Sequence, residues 1–298
     1  MRRLSFLRFP LISLFAAAFL FSCKSGPELP SVDPFELLDG DAAIYLTIPV
    51  KPNQEFVKEA VKRLSDASES DAERIAGRLD MLYVAVGMSG EIQLSMSGKI
   101  PTTFLSMALS EKKGWRAAVM ENQLYYTHSQ SLYQLCAPTS SVVFLSRDIG
   151  PMIRRYNKLA YSEPPLSEPV PDGDSSIKLV SELLDEKSYD FLHESVTSDI
   201  VLYAPFPKAL MRSFLGGDVT SSPVESVSAV LSQDRGVLEE FNVRLILTMG
   251  DSRTVRAATV LIKAAMFGVP AKVAQTGERQ ITITDLPVSR DRLLSLIR

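Results

Sequence analysis

The sequence predicts an α+β protein built from two tandem ferredoxin-like units. Each unit has the order β-α-β-β-α-β and a mostly antiparallel sheet with its helices on one face. Three observations lead to this prediction. Residues 41–49 align without gaps on residues 199–207, with Asp, Tyr and Pro at matching positions. Helical and alternating apolar patterns follow both segments in the same order. A Ser-Arg-Asp string then occurs near the end of each, at 146–148 and 289–291.

The first unit spans residues 41–160. Its first strand is an apolar run that ends at Pro49, because proline cannot continue a strand ladder. The following apolar residues recur at helical spacing and predict an amphipathic helix: Phe56, Val57, Ala60, Val61 and Leu64. The remaining predicted elements are strands at 81–86 and 92–97, a helix from Pro101, extra strands at 116–120 and 123–127, a returning strand at 142–145 and a terminal helix.

The second unit spans residues 199–298 and repeats this plan. A short helix is predicted at 209–215, and alternation predicts a hairpin of strands at 226–232 and 241–248. A helix capped by Asp251-Ser252 comes next, with Val255, Ala258, Ile262 and Ala265 on its apolar side. A strand at 281–284 and a terminal helix complete the unit.

Residues 161–198 join the two units. A Pro-rich, acidic stretch comes first, and apolar residues at helical spacing then predict a connecting amphipathic helix: Ile177, Val180, Leu184 and Phe191. The same elements are compatible with a second architecture, which is one larger α+β domain whose sheet runs continuously through both halves.

Composition excludes several classes of protein. The chain has 298 residues, of which 46% are hydrophobic and 22% charged, as is typical of a globular protein. A net charge of −3 argues against a nucleic-acid partner, since such domains are normally basic. Two cysteines are too few for a disulfide framework, and two separated histidines do not indicate a metal site.

The N-terminus predicts export. Arg2, Arg3 and Arg8 precede an uncharged, mostly apolar stretch at residues 9–21. This stretch is too short to span a bilayer comfortably and is typical of a signal peptide. It ends at Leu20-Phe21-Ser22-Cys23.

These four residues resemble the lipobox of bacterial lipoproteins. Phe21 stands where a smaller residue is usual, as in the relaxed lipoboxes of some spirochaetal lipoproteins. The resemblance implies that residues 1–22 are cleaved and that Cys23 is diacylated, and two acyl chains hold a protein firmly to a membrane. Residues 23–40 are rich in Pro, Gly and Ser and are predicted to form an extended tether. Lys24 favours the outer membrane, facing the periplasm. No family is recognised for the body of the chain.

A search for catalytic and cofactor motifs finds no convergent set. Ser110–Lys113 matches the Ser-x-x-Lys string of penicillin-recognising enzymes but lacks their partner motifs, and Asp172–Asp174 lacks the remaining ligands of a calcium loop. His128 and His193 stand near no nucleophile motif. We therefore predict no catalytic residue, no metal, no cofactor and no enzymatic activity. Cys136 lies in an apolar setting and is predicted to be a buried structural thiol.

Aromatic residues form the one candidate binding surface. They fall in a single stretch of the first unit and could line a sheet face that contacts a ligand or partner: Trp115, Tyr125, Tyr126, Tyr133 and Tyr156. The alternative is that they serve core and edge packing.

The predicted function is that of a lipid-anchored envelope lipoprotein that acts through contact with another envelope protein or a ligand. One alternative is a periplasmic solute- or lipid-binding protein with a cleft between residues 41–160 and 199–298. A second is a hydrolase with an unfamiliar site. It requires His128 or His193 within hydrogen-bond reach of a Ser, a Cys or an acid in a cleft.

Overall fold

A continuous antiparallel sheet organises the residues that the computed structural model describes, which are 31–65, 67–101, 105, 108–161, 178–194, 198–207, 223–233 and 240–295. Its twelve described strands are β1 (Ile44–Pro49), β2 (Leu79–Val86), β3 (Ile92–Gly98), β4 (Trp115–Met120), β5 (Gln123–His128), β6 (Gln134–Cys136), β7 (Val142–Ser146), β8 (Ile200–Ala204), β9 (Val224–Gln233), β10 (Glu240–Met249), β11 (Lys272–Gln275) and β12 (Gln280–Ser289). Across the sheet they follow the order β11-β12-β10-β9-β8-β1-β2-β3-β7-β6-β5-β4.

Helices cover both faces of this sheet. The described helices are α1 (Gln54–Ser65), α2 (Glu69–Ala76), α3 (Gly150–Ala160), α4 (Val180–Leu183), α5 (Glu186–Glu194), α6 (Ser252–Ala265) and α7 (Arg290–Leu294), with 3-10 helices at Pro34–Leu37 and Glu111–Lys113. Helices α1, α2, α6 and α7 pack on the front face, which we define as the side of Leu46. The first 3-10 helix, α3, α4 and α5 pack on the back face, the side of Tyr45.

The prediction of two tandem ferredoxin-like units with helices on one face is wrong. In a split β-α-β unit another strand lies between the two strands that the helix connects. Here β1 and β2 pair directly, with Ile44 opposite Val86, although α1 and α2 lie between them in the chain. Because these two helices return the chain to the neighbouring position, β1, β2 and β3 lie side by side in chain order. Strand β3 is followed in the sheet by β7, and β10 by β12. The continuous sheet of the alternative architecture is the one observed.

Strands β1 and β8 form the centre of the sheet. These are the two segments that align in the sequence, and they pair antiparallel with Tyr45 opposite Tyr203. Every residue of both strands is buried. The regions on either side of this pair therefore share backbone hydrogen bonds at the place where the solute- or lipid-binding alternative puts a cleft.

Residues 32–39 belong to the core of the back face, although the sequence assigns them to the tether. The Asp33 carboxylate caps the 3-10 helix by accepting the Phe35 N–H at 2.9 Å. Phe35 and Leu37 are fully buried. The Arg155 guanidinium holds the end of the segment, donating to the Leu37 carbonyl at 3.0 Å and to the Asp39 carboxylate.

Several predicted elements lie outside the described residues. These are the signal peptide with Cys23, most of the helix from Pro101, the Pro-rich linker and the helix at 209–215. The connecting helix is described and consists of two helices, α4 and α5, whose Val180 and Leu192 are buried.

Candidate functional site

A cavity of about 400 Å³ lies on the front face between the sheet and helices α1 and α2. Its floor consists of strand residues Leu79, Leu82, Leu94, Met96, Leu135 and Leu145, and helices α1 and α2 contribute Ala60, Val61 and Ile75. The volume falls within the range of small-molecule sites, roughly 300–1,000 Å³. The cavity is therefore large enough and apolar enough to hold an aliphatic chain.

Local sequence explains why the space exists. Alternation along β3 turns Leu94 and Met96 to the front while Ser95 faces the back. Small side chains stand over this floor: Ala60 on α1, Ala67 between the helices, and Ala108. Since protein interiors normally close such gaps, alanines above long aliphatic side chains leave room that a ligand can occupy.

Trp115 and His128 stand at the mouth of the cavity. Their ring centroids are 5.0 Å apart, and both residues line the opening. The His128 Nδ1 atom accepts the Ser131 N–H at 3.1 Å, which places the proton of the neutral ring on Nε2. Gly114 precedes the tryptophan with φ of +84°, a conformation that favours glycine. A Cβ there would lie 3.2 Å from the histidine ring.

The rest of the rim is polar. Lys113 Nζ lies 3.4 Å from the Asp71 carboxylate on α2. The Ser68 hydroxyl, and secondarily Lys113, hold the pKa of Asp71 below its ordinary value, so this carboxylate is charged at neutral pH. An apolar floor with a charged rim suits an amphiphile, whose tail avoids water and whose head does not.

Both histidines meet the distance that the hydrolase alternative requires. His128 Nδ1 lies 2.9 Å from the Ser131 hydroxyl, and His193 Nε2 lies 3.1 Å from Asp33. The first contact is local to one turn, where the same nitrogen also accepts the Ser131 backbone N–H. Within the described ranges neither histidine has both a nucleophile and an orienting acid, which a catalytic triad combines.

His193 instead packs α5 against residues 32–39. Its ring stacks on Tyr189 at 4.8 Å and meets Phe35 edge-on at 5.1 Å. The nearby Asp33 carboxylate raises the pKa of His193, against the opposing effect of burial. Buried Glu36 completes the cluster by accepting the Tyr189 hydroxyl at 2.8 Å. These contacts are structural, since they join two packed elements.

The five aromatic residues predicted as a binding surface are distributed over both faces. Trp115 and Tyr126 lie on the front of the β4–β5 hairpin, while Tyr125 turns to the back. Tyr133 is buried beneath the Arg147 guanidinium, 5.5 Å from its ring centroid. Tyr156 is buried on α3, where burial raises its pKa to about 12. Trp115 alone of the five lines the cavity.

The outer side of α6 forms a second apolar surface. The predicted core side is present, with Val255 buried and Ile262 partly buried. Val260 and Leu261 face outward with 65% and 70% of their surfaces exposed, and Phe267, just after the helix, is 93% exposed. Exposed Arg253, Arg256 and Lys263 accompany them. Periodicity did not predict this exposed stripe, because it marks an apolar side of a helix without showing what lies against it.

The cysteine on the described part of the chain is not a reactive group. Cys136 is fully buried, as predicted, and burial raises the pKa of its thiol to about 12. The described residues contain no cluster of three His, Cys, Asp or Glu side chains that could hold a metal ion. In the same ranges, no helix has the length and hydropathy needed to cross a membrane.

Comparison with known proteins gives the family. The model of the family described as outer membrane-associated lipoprotein TP0453 matches residues 30–294. The chain belongs to this family. It is similar to the outer membrane protein TP0453 of Treponema pallidum (strain Nichols), with 24% identity over 269 residues, which cover 89% of this chain and 85% of that protein.

Solved structures of TP0453 share the fold. Crystal form I superposes with a TM-score of 0.65 at 20% identity, covering 90% of this chain and 97% of that one. Crystal form III gives a TM-score of 0.64 at 20% identity and covers 90% and 98%.

Family membership confirms the predicted class and location, a lipid-anchored lipoprotein associated with the outer membrane. It also corrects the sequence analysis, which recognises no family for the body of the chain. The matched residues 30–294 are that body. Acylation of Cys23 itself stays a prediction.

Proposed function

We propose that this outer membrane-associated lipoprotein is a binding protein for an amphiphile, which places its aliphatic chain in the front-face cavity and its polar head at the rim. The observation that supports this function is the apolar cavity of about 400 Å³ beneath a charged rim. The proposal needs binding and no catalytic step. The proposed site lies within residues 41–160, whereas the solute- or lipid-binding alternative places it in a cleft between residues 41–160 and 199–298.

Burial of an aliphatic chain supplies enough free energy for useful affinity. Each buried methylene contributes about 0.8 kcal/mol, so ten contribute about 8 kcal/mol. Because ordering the ligand opposes binding, a Kd of roughly 1 µM is the tightest that this free energy alone can give.

Trp115 allows a direct test. It is the single tryptophan of the chain and lines the cavity, so a bromine atom on a bound acyl chain will quench its fluorescence. We expect saturable quenching by 12-bromododecanoate, reversed by unbrominated dodecanoate. Ala60→Leu fills space beneath α1 and should weaken binding at least tenfold. Ala257→Leu makes the same change on the exposed side of α6 and should leave binding unchanged.

Two outcomes would contradict the amphiphile site. One is quenching that rises linearly without saturation, and the other is equal affinity in the Ala60→Leu and Ala257→Leu variants.

A second function, contact of α6 with the membrane surface, is favoured by a separate observation. Leu261, Val260 and Phe267 project from one side of the molecule, accompanied by basic residues. A helix with this arrangement lies in a membrane interface with its apolar side down.

Vesicle flotation tests this contact in residues 23–298 with Cys23→Ser, so that neither acyl chains nor the apolar stretch at residues 9–21 masks the effect. We expect Leu261→Asp to reduce flotation with phosphatidylglycerol–phosphatidylcholine vesicles several-fold. Val119→Asp is the matched control, because Val119 is also 70% exposed but lies on β4. Equal flotation of the two variants would exclude α6 as the contact.

A further inference from the structure

The apolar floor of the cavity continues across the sheet beyond the helices that cover it. A row of directly opposed residues runs over five strands on the front face: Leu94, Leu145, Leu135, Tyr126 and Ala117. The first three line the cavity, and the last two lie outside it on the β4–β5 hairpin. Because opposed residues share a face of the sheet, one apolar surface extends from the inside of the cavity to the last strand.

The hairpin adds an exposed apolar pair to this surface. Val119 lies directly opposite Leu124, and alternation places both on the face of Trp115 and His128. Val119 is 70% exposed and Leu124 is 49% exposed. Contiguous exposed apolar side chains, unlike scattered ones, indicate a binding surface. We name this surface the hairpin strip, and it consists of Ala117, Val119, Leu124 and Tyr126.

The cavity and the hairpin strip begin at the same place and run in the same direction. Both start at the mouth formed by Trp115 and His128. From Trp115 to Val119 the strip follows β4 for about 14 Å. Strand β3, whose Leu94 and Met96 form the floor of the cavity, is parallel to β4, because four antiparallel pairings separate the two strands. Two aliphatic chains that leave the mouth together would therefore lie side by side.

We infer that the amphiphile is a two-chain lipid, with one acyl chain in the cavity and the second on the hairpin strip. This inference rests on the proposed function, because it names the ligand class of the same site. A cavity of about 400 Å³ is near the lower end of the range for small-molecule sites and suits one chain. The second chain then needs an apolar surface outside the cavity, and the strip begins where the cavity opens.

The charged rim fits the shared head group of such a lipid. Lys113 lines the opening two residues before Trp115, and its ammonium group lies 3.4 Å from the Asp71 carboxylate. Both charges stand at the common start of the cavity and the strip, where the two chains of a lipid join its head. A chain on the strip removes its own methylenes and the side chains of Val119 and Leu124 from water, which favours binding.

The hairpin strip does not lie on the membrane surface that α6 contacts. Helix α6 packs on β10, β11 and β12, and nine intervals of the sheet order separate β10 from β4. Neighbouring strands twist by roughly 20° at each interval, so the front of β4 is turned by about 180° from the front of β10. A flat bilayer that touches α6 therefore does not touch the strip, and Val119 remains a control for flotation.

Two lipids with the same head group test the second chain. Dioctanoylphosphatidylcholine and octanoyl-lysophosphatidylcholine are titrated below their critical micelle concentrations, and the fluorescence of Trp115 reports binding. The protein is residues 23–298 with Cys23→Ser, because the detergent that an acylated chain requires would compete for the site. We expect the two-chain lipid to bind at least tenfold more tightly than the one-chain lipid.

Substitutions at Leu124 locate the second chain. Leu124→Ser should weaken binding of the two-chain lipid at least fivefold and leave the one-chain lipid within twofold. Leu124→Met keeps an apolar side chain of similar volume and should restore the preference. Met88→Ser is the matched control, because Met88 is 67% exposed but lies on the turn between β2 and β3, and it should change neither affinity. Circular dichroism checks that each variant is folded.

The outcomes separate this inference from the proposed function. Saturable binding of both lipids with equal affinity in the unsubstituted protein would overturn the two-chain assignment and leave the amphiphile site intact, and this comparison depends on no variant. An equal effect of Leu124→Ser on the two lipids would exclude the strip as the site of the second chain. If neither lipid binds saturably, the amphiphile site and the strip both fail.

Discussion

The two halves of the sheet differ in how they are covered. Strands β1, β2 and β3 have helices on both faces, with α1 and α2 in front and α3 and the 3-10 helix at Pro34–Leu37 behind. Beyond β8, the front of β9 is buried through Val227, Ala229 and Leu231, whereas its back carries half-exposed serines. The same kind of strand is thus a two-sided core element in one half and a one-sided surface element in the other.

The strand sequences explain this difference in coverage. Burial on both faces requires apolar residues at consecutive positions, whereas burial on one face requires alternation. Strand β2 is nearly continuous in Val, Ala, Leu and Tyr, and β9 alternates between apolar residues and serine. Stability should therefore be concentrated in the first half, and matched substitutions in the two halves test this expectation.

The largest contrast should come from two phenylalanines. Phe35 is fully buried among Tyr45, Tyr83 and Tyr189, and Phe35→Ala should lower the free energy of unfolding by about 3–5 kcal/mol because it leaves a cavity. Phe267 is 93% exposed, and Phe267→Ala should change the value by less than about 0.5 kcal/mol. Urea unfolding followed by circular dichroism measures both. Similar losses of unfolding free energy in the two variants would show that the two halves of the sheet are equally packed.

Two serines on the back face give a smaller contrast. Ser95 is fully buried and its hydroxyl donates to the Pro34 carbonyl at 2.6 Å. Ser95→Ala leaves that carbonyl without its partner and should cost about 1–2 kcal/mol. Ser228 on β9 is half-exposed, and Ser228→Ala should stay within about 0.5 kcal/mol. The urea unfolding midpoints compare the two variants, provided that the dependence of the free energy on urea concentration is the same in both. A larger loss of unfolding free energy in Ser228→Ala would contradict the expected order.

The smallest effect concerns pH. Asp33, Glu36 and Asp190 raise the pKa of His193, so the folded state favours the protonated ring. Its contribution to stability is fully present below the unfolded pKa of about 6.5 and is lost as pH rises through the raised folded value. We expect the wild type to lose stability over that interval relative to His193→Gln. The free energy of unfolding of each protein is measured from pH 6 to pH 8.5. If the two values change in parallel with pH, the coupling is disproved.

Secondary structure was predictable from the sequence because it depends on local periodicity. The helical spacing of Phe56, Val57 and Ala60 gives α1, and alternation gives β9 and β10. Strand order was not predictable, because periodicity does not identify a neighbour. The helices between β1 and β2 suggested a crossover, yet the two strands pair directly.

The sites were harder to predict for a different reason. Leu94 and Met96 have the pattern of ordinary core residues, and the empty space above them depends on how far α1 and α2 stand from the sheet. Pro34 and its neighbours resembled a tether, although the apolar side chains of Phe35, Leu37 and Leu38 in the same stretch fill the back core. Trp115 was identified among the five aromatic candidates, but its position at an opening was not.

The pairing of Tyr45 with Tyr203 has a consequence for how the polypeptide matures. Tyr203 follows Tyr45 by 158 positions, and a ribosome takes roughly 8–30 s to add that many residues. Throughout that interval one side of β1 lacks its native neighbour, a state that invites aggregation and that a holdase chaperone would shield. The arrival of β8 then supplies the missing neighbour of β1.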